Sequence, residues 1–286
     1  MYSESPTARS VTPGIIHCLR RARHLPVAAL AVCLLQSVRP AMAEGYPGFG
    51  LNASRVVVSG EATGGTLVTA LNNSDSVYLV QSRVWPADGL TGYPLTGDTR
   101  SGAGTTPPPF LVTPPLRRMG PQSRLPLRIL PTAGVKALPA DRESLFFLSV
   151  KAIPSVPSSG APGKGAGHAT APRVILALQQ FVKLYYRPAG LKPRAIFDGD
   201  VAPKLTMRLD GGKLQVTNPT PYHIAFGHLT VNGRPVAQKA LRVLTPPDGT
   251  QDYPLPAGAG HAGETVAWQV IDEFGLVTKK QTQTLP

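Results

Sequence analysis

From residue 52 to the C-terminal end, apolar residues fall in short β-branched or aromatic runs, and Gly, Pro, Asn and Asp interrupt them. A first set covers 54–58, 65–71, 77–85, 110–115, 125–130 and 143–150, with Gly60, Gly64 and Asn72-Asn73-Ser74-Asp75 marking turns. A second set, 204–209, 213–218, 223–231 and 265–271, follows the Pro- and Gly-bearing segment 188–193, which reads as an interdomain hinge. Short strands at roughly 8–12-residue spacing predict an immunoglobulin-like sandwich, and two sets predict two sandwiches. The 31 Pro and 29 Gly among 286 residues fit this density of turns, and no stretch of helical period follows the N-terminal region.

Between the two sets, 174–188 has the content of a single long strand ended by Pro188. Its period of two puts Val174, Leu176 and Leu178 on one face and Ile175, Ala177 and Phe181 on the other. Both faces are apolar. A strand of an antiparallel sandwich buries one face in the core, so the second face needs a cover from this chain or from another protein. The expectation is that Ile175, Ala177 and Phe181 meet the chain's own core, which leaves Val174, Leu176 and Leu178 for a partner.

Two stretches break the strand pattern. Residues 86–109 are rich in Gly, Thr and Pro, and 155–172 are rich in Gly, Ala, Ser and Pro. Such compositions bury too little apolar surface to fold, so both read as flexible insertions.

Residues 1–43 read as an export signal with a mature start near Glu44. Arg20, Arg21, Arg23 and His24 precede an apolar run over 25–35, and Ala41-Met42-Ala43 supplies a small-x-small cleavage pattern. The run is too short to span a membrane, which predicts an exported protein with no membrane insertion. Both cysteines, Cys18 and Cys33, lie in this leader, so the mature chain has no disulfide, zinc–thiolate site or thiol nucleophile to offer.

Charge and motifs narrow the function classes. Of the net charge of +13, the leader accounts for five Arg against one Glu, and most of the excess stays on the mature chain. Its Lys and Arg are scattered and no nucleic-acid motif occurs, so nucleic acid is not an expected partner. No phosphate loop, metal spacing or Gly-x-Ser-x-Gly elbow is present, and neither an enzymatic reaction nor a cofactor is expected. Gly60-Glu61-Ala62-Thr63-Gly64-Gly65 lacks the Lys and helix of a phosphate cradle and reads as a hairpin turn. An exported adhesin or carbohydrate-binding module would also use sandwiches, with aromatics clustered on loop tips; here aromatics are 6% of residues and lie mostly within the predicted strands.

Several segments stand in the order found in one family. Arg55-Val56-Val57, Asn72-Asn73-Ser74, Val84-Trp85, Thr113-Pro114-Pro115, Glu143-Ser144-Leu145-Phe146 and Ile153-Pro154 occur before the 174–188 strand. Thr217-Asn218-Pro219-Thr220-Pro221-Tyr222 and Ile271-Asp272-Glu273-Phe274-Gly275 occur after it. Together they resemble the periplasmic pilus-assembly chaperones of the chaperone/usher pathway. The resemblance implies an all-β fold of two immunoglobulin-like sandwiches in tandem, over 44–188 and 189–286, with a cleft between them. It implies pilin or fimbrial subunits and an outer-membrane usher as partners, and it leaves both a monomer and a self-capping oligomer open for the free protein.

The resemblance also implies site residues. Val174, Leu176 and Leu178 match the strand lent to a subunit that lacks one of its own, a form of β-augmentation for which this pathway is a standing example. Arg55 and Lys183 match the pair that holds the subunit's terminal carboxylate. Lys183 has the opposite parity to the lent residues, so twist or a bulge is expected between them. Glu143, Arg187 and Glu273 match a buried acid–base–acid set bracing the two domains, with Asp272-Glu273 where the family usually has Asn-Asp.

Overall fold

A computed structural model describes residues 48–62, 64–88, 91–96, 109–155 and 176–286. The expected signal over 1–43, Val174 and Ile175, and most of the 86–109 and 155–172 segments lie outside the described residues.

The first sandwich is built from β1 (Phe49–Leu51), β2 (Arg55–Ser59), β3 (Thr66–Asn72), β4 (Tyr78–Pro86), β5 (Phe110–Thr113), β6 (Leu116–Met119), β7 (Ser123–Pro131), β8 (Ser144–Pro154) and β9 (Leu178–Arg187). One sheet has the order β1-β3-β7-β5 and the other β2-β9-β8-β4-β6. The alternation in the sequence places Val56, Val58, Val68, Ala70, Leu127, Ile129, Leu148, Val150 and Leu184 between them, all buried. The expected run 110–115 is strand only as far as Thr113, and the next strand, β6, starts at Leu116 in the other sheet. Pro114 and Pro115 have no N–H to donate to a ladder, and the chain changes sheets there while Ser82 donates to both of their carbonyls.

The second sandwich comprises β10 (Thr206–Asp210), β11 (Lys213–Asn218), β12 (Phe226–Val231), β13 (Arg234–Pro235), β14 (Gly249–Pro254), β15 (Thr265–Val270) and β16 (Gln281–Thr284). Sheets β10-β11-β14 and β13-β12-β15-β16 enclose Leu214, Val216, Leu229, Val231, Tyr253, Val266, Trp268 and Val270. β14 reads Gly-Thr-Gln-Asp-Tyr-Pro and β16 Gln-Thr-Gln-Thr, so neither carries an apolar run, which is why the run pattern missed them.

Asn72 ends β3 and Asn218 ends β11, and both side chains are fully buried. Each amide donates to the carbonyl four residues on and to a distant loop carbonyl, Gly120 or Pro246. Each side-chain oxygen accepts from the backbone N–H and hydroxyl two residues on, at Ser74 or Thr220. This satisfies the backbone groups of a buried turn, and it gives both marker segments one physical role.

β9 differs from the expectation in three ways. Its described ladder starts at Leu178, and Leu176 and Ala177 precede it outside any strand. Its register against β8 runs unbroken from Ser144↔Tyr186 to Ala152↔Leu178, so no bulge separates the groups of opposite parity. Its core face is the even one, through Val182, Leu184 and Tyr186; Ala177 and Phe181 are exposed rather than core. The sequence made both faces apolar, and which face was the core depended on how β9 sits between β2 and β8.

Candidate functional site

β9 is half protected. β8 pairs it from Leu178 to Tyr186, whereas β2 pairs it, in parallel, only from Lys183 to Arg187. Among the described residues, no strand therefore pairs the second edge of 178–182. Leu178 continues the stripe of Val182 and Leu184 beyond the end of the core, and it is 49% exposed. Leu176 is 79% exposed and Phe181 39%. An apolar strand edge of this kind is an open template for another strand. The second sandwich is treated differently: Gln283 on β16 accepts from the N–H of Met207 (3.0 Å) and donates to its carbonyl (2.7 Å), bridging β16 to β10.

The open edge ends at two cations. Arg55 begins β2 and is the register partner of Lys183. Their neighbours Val56 and Leu184 point into the first core, so Arg55 and Lys183 point away from it, into the cleft between the sandwiches. Arg55 Nη1 donates to the Ile271 carbonyl (2.9 Å) across that cleft. Its guanidinium carbon lies 5.8 Å from the centre of the Tyr185 ring. Among the described residues, its buried Nε has no hydrogen-bond partner, and the same holds for the Tyr185 hydroxyl. Burial, with the charge of Arg55 adding to it, pushes the Lys183 ammonium down to about 8.

Behind the pair lies a buried network. Arg187 Nε donates to Glu143 Oε1 (2.6 Å) and Arg187 Nη1 to Glu273 Oε1 (2.7 Å), with all three side chains at most 5% exposed. Glu143 also accepts from the His223 N–H at 2.8 Å, and its Oε2 lies 3.2 Å from His223 Nδ1. Burial works against ionising Glu143, but His223 and Arg187 outweigh it and hold the carboxyl below its usual range. Glu273 accepts from the N–H groups of Ile196 (3.0 Å) and Phe197 (2.9 Å) as well. The longer acid thus spans from the Arg187 guanidinium to the backbone of the second sandwich. Arg187 stacks over Tyr222 at 4.7 Å. These groups tie the end of β9 to the second sandwich, and Tyr185, Val57, Leu145, Ala225, Leu244 and Ile271 form a small apolar joint beside them.

The structure thus brings Arg55 together with Lys183, and Glu143 with Arg187 and Glu273. It sets Leu176 and Leu178 at the open edge, and Val174 lies outside the described residues. The reading of the sequence missed Tyr185 and His223. Tyr185 was within reach, because it shares the parity of Lys183 and Arg187; His223 was not, because its contact with Glu143 depends on how the sandwiches meet.

Comparisons with known proteins converge. The family profile described as "Pili and flagellar-assembly chaperone, PapD N-terminal domain" matches residues 48–192, and "Pili assembly chaperone PapD, C-terminal domain" matches 200–282. The chain is 33% identical over 264 residues to the chaperone protein FimC of Escherichia coli K12, covering 92% of this chain and 95% of FimC. It is 37% identical over 212 residues to the Escherichia coli chaperone protein AfaB, covering 73% and 76%. Among solved structures, the E. coli chaperone DraB superposes with a TM-score of 0.63 at 32% identity, over 84% of this chain and 97% of that one. A structure of the Salmonella enterica SafA pilin in complex with the SafB chaperone gives 0.64 at 29% identity, over 84% and 98%.

Proposed function

The chain belongs to the family of pili-assembly chaperones, and from that premise we propose that it is exported to the periplasm, where it holds a fimbrial subunit by lending it the edge of β9. One observation carries the reading: the unpaired edge over 178–182 stops at Arg55 and Lys183. A partner strand laid on that edge continues the line of β2. If its last residue stops at the two cations, its direction is that of β2, parallel to β9.

The physical roles then separate by parity. Leu176 and Leu178, with Val174 before them, offer apolar side chains to the groove of an incomplete sandwich, while the backbone of 178–182 supplies the ladder. Arg55 and Lys183, on the opposite parity, take the terminal carboxylate; each charge-assisted hydrogen bond contributes about 1.5–3 kcal/mol. Pinning the terminus sets the register, so that apolar residues of the subunit meet Leu176 and Leu178 rather than solvent. The Glu143–Arg187–Glu273 set holds the second sandwich at the angle that keeps the cleft open to a terminus. No nucleotide is required, because the energy comes from burying the two complementary edges until an outer-membrane usher exchanges the donor.

The test is co-expression in the periplasm with candidate fimbrial subunits. The wild-type protein is expected to protect them from periplasmic proteolysis, and Lys183→Ala protein, folded but unable to pin a carboxylate, is expected to lose them. Equal recovery with Lys183→Ala would remove the reading.

A further inference from the structure

The composition of 86–109 predicts a flexible insertion, yet residues 86–88 and 91–95 form a knitted hairpin at the end of β4. Ala87 and Pro94 bridge antiparallel. The Leu95 N–H donates to the Pro86 carbonyl (3.0 Å), the Asp88 N–H to the Tyr93 carbonyl (2.8 Å) and the Gly92 N–H to the Asp88 carbonyl (2.9 Å). The Asp88 carboxylate accepts from both the N–H (2.7 Å) and the hydroxyl (2.9 Å) of Thr91. The turn satisfies its own polar groups, which is how a segment with few apolar residues keeps a shape.

The hairpin ends on the second sandwich. Gly92 has φ +66°, and a Cβ there would stand 3.7 Å from Val243 Cα and 3.8 Å from Leu244 N, so the two backbones approach closely. The landing site is held from behind. Buried Tyr253 donates its hydroxyl to the Val243 carbonyl (2.9 Å). Leu244 is buried with Tyr185 and Ala225 in the apolar joint, and Thr245 exchanges two backbone bonds with Ile224 (2.9 and 3.0 Å).

Placement across the sheet gives this contact leverage. In the order β2-β9-β8-β4, Arg55 on β2 reaches Ile271. Arg187 at the end of β9 reaches Glu273, and Glu143 just before β8 reaches His223. The hairpin adds a tie from β4. Neighbouring strands lie about 4.8 Å apart, so the ties span roughly 14 Å. Without the hairpin, the second sandwich could rock about the buried brace toward β4, which would lift Ile271 away from Arg55 and widen the cleft.

We propose that the 86–95 hairpin is a positioning element for subunit binding. By bearing on Val243 and Leu244 it stops that rocking and holds the cleft at the width in which Arg55 and Lys183 reach one carboxylate together. Its effect on binding rests on the cleft reading above; its effect on the angle between the sandwiches does not.

Two variants remove the contact from opposite sides: one with 87–95 replaced by Gly-Ser-Gly, and Val243→Lys. The probe is a synthetic strand peptide of alternating Val and Thr, as free acid and as C-terminal amide. Each variant is expected to bind the free acid roughly three- to tenfold more weakly than the wild type, because one charge-assisted contact is partly lost. Each is expected to widen the spread of domain angles in small-angle scattering and to keep the urea unfolding midpoint. Together they are expected to lose no more than either alone, since both act on one contact. Val243→Ile, which keeps the contact apolar, is expected to match the wild type, and the two Val243 variants carry the comparison if the shortened chain misfolds. An unchanged angle spread overturns the inference, as do losses that add, or a lowered midpoint that accounts for the weaker binding. A wider spread with unchanged binding also overturns it, because the cleft then tolerates the motion. The cleft reading fails in a different way, when the wild type binds amide as tightly as free acid or binds neither at millimolar concentration; the positioning role then falls with it even if the scattering result stands.

Discussion

Arg55 and Lys183 are partners in the parallel ladder of β2 and β9, and the shared ladder begins at that pair. On one side of it β9 is paired along both edges; on the other, one edge is open. The two cations therefore mark the point at which the chain stops covering its own strand.

The first prediction follows from that position. Arg55→Ala and Lys183→Ala are each expected to weaken subunit binding by roughly 10- to 100-fold, the loss of one charge-assisted contact; both variants are expected to fold, and Lys183→Ala to be no less stable than the wild type, because it removes a cation that burial disfavours. Titration of a subunit, or of a peptide with a free terminal carboxylate, measures it; an unchanged dissociation constant would count against the anchor.

Leu176 and Leu184 share a face and differ in cover, at 79% and 0% exposed. Leu184→Ala is expected to destabilise the free protein by about 2–5 kcal/mol, and Leu176→Ala by less than about 0.5 kcal/mol. Subunit protection is expected to fail with Leu176→Ala all the same. If Leu176→Ala costs stability only at high protein concentration, a second copy caps the edge in the free protein.

Removing Arg187 leaves Glu143 and Glu273 buried without their cation. Arg187→Ala is expected to cost about 3–5 kcal/mol, and Arg187→Met with Glu143→Gln and Glu273→Gln much less. Small-angle scattering separates stability from orientation: a triple variant that folds but spreads in domain angle supports a bracing role. The depressed Glu143 carboxyl adds an acid limit, since its stabilisation is complete above the ordinary carboxylate range and is lost as pH falls through its lower folded value.

Lys183 gives the opposite pH signature. Its folded value of about 8 lies below the ordinary 10.5, so between these values the unfolded chain binds more protons, and the free protein gains stability as pH rises through that window. A bound carboxylate favours the ammonium, so binding takes up a proton there. Subunit affinity is thus expected to be flat below about pH 8 and to fall above it, by at most tenfold per pH unit. Lys183→Met should flatten the profile; a profile identical to that of the wild type would exclude Lys183 from the site.

Local grammar was enough for much of this protein. Two sets of short runs announced two sandwiches, the order of short motifs announced the family, and Asn72 could be picked out as a turn residue within Asn72-Asn73-Ser74-Asp75. The Glu143–Arg187–Glu273 set was legible only through the family resemblance, as was the departure of Glu273 from a shorter acid. Only the tertiary structure decided which face of β9 is core. Both faces are apolar, so hydrophobicity is silent, and the choice falls to the strands on either side: β8 covers β9 along its length and β2 stops at Arg55. Only the packing of the sandwiches set His223 against Glu143 and the 271–275 turn against Ser54, because contacts between residues about 80 and 220 positions apart depend on the angle between two cores, which no period in the chain encodes.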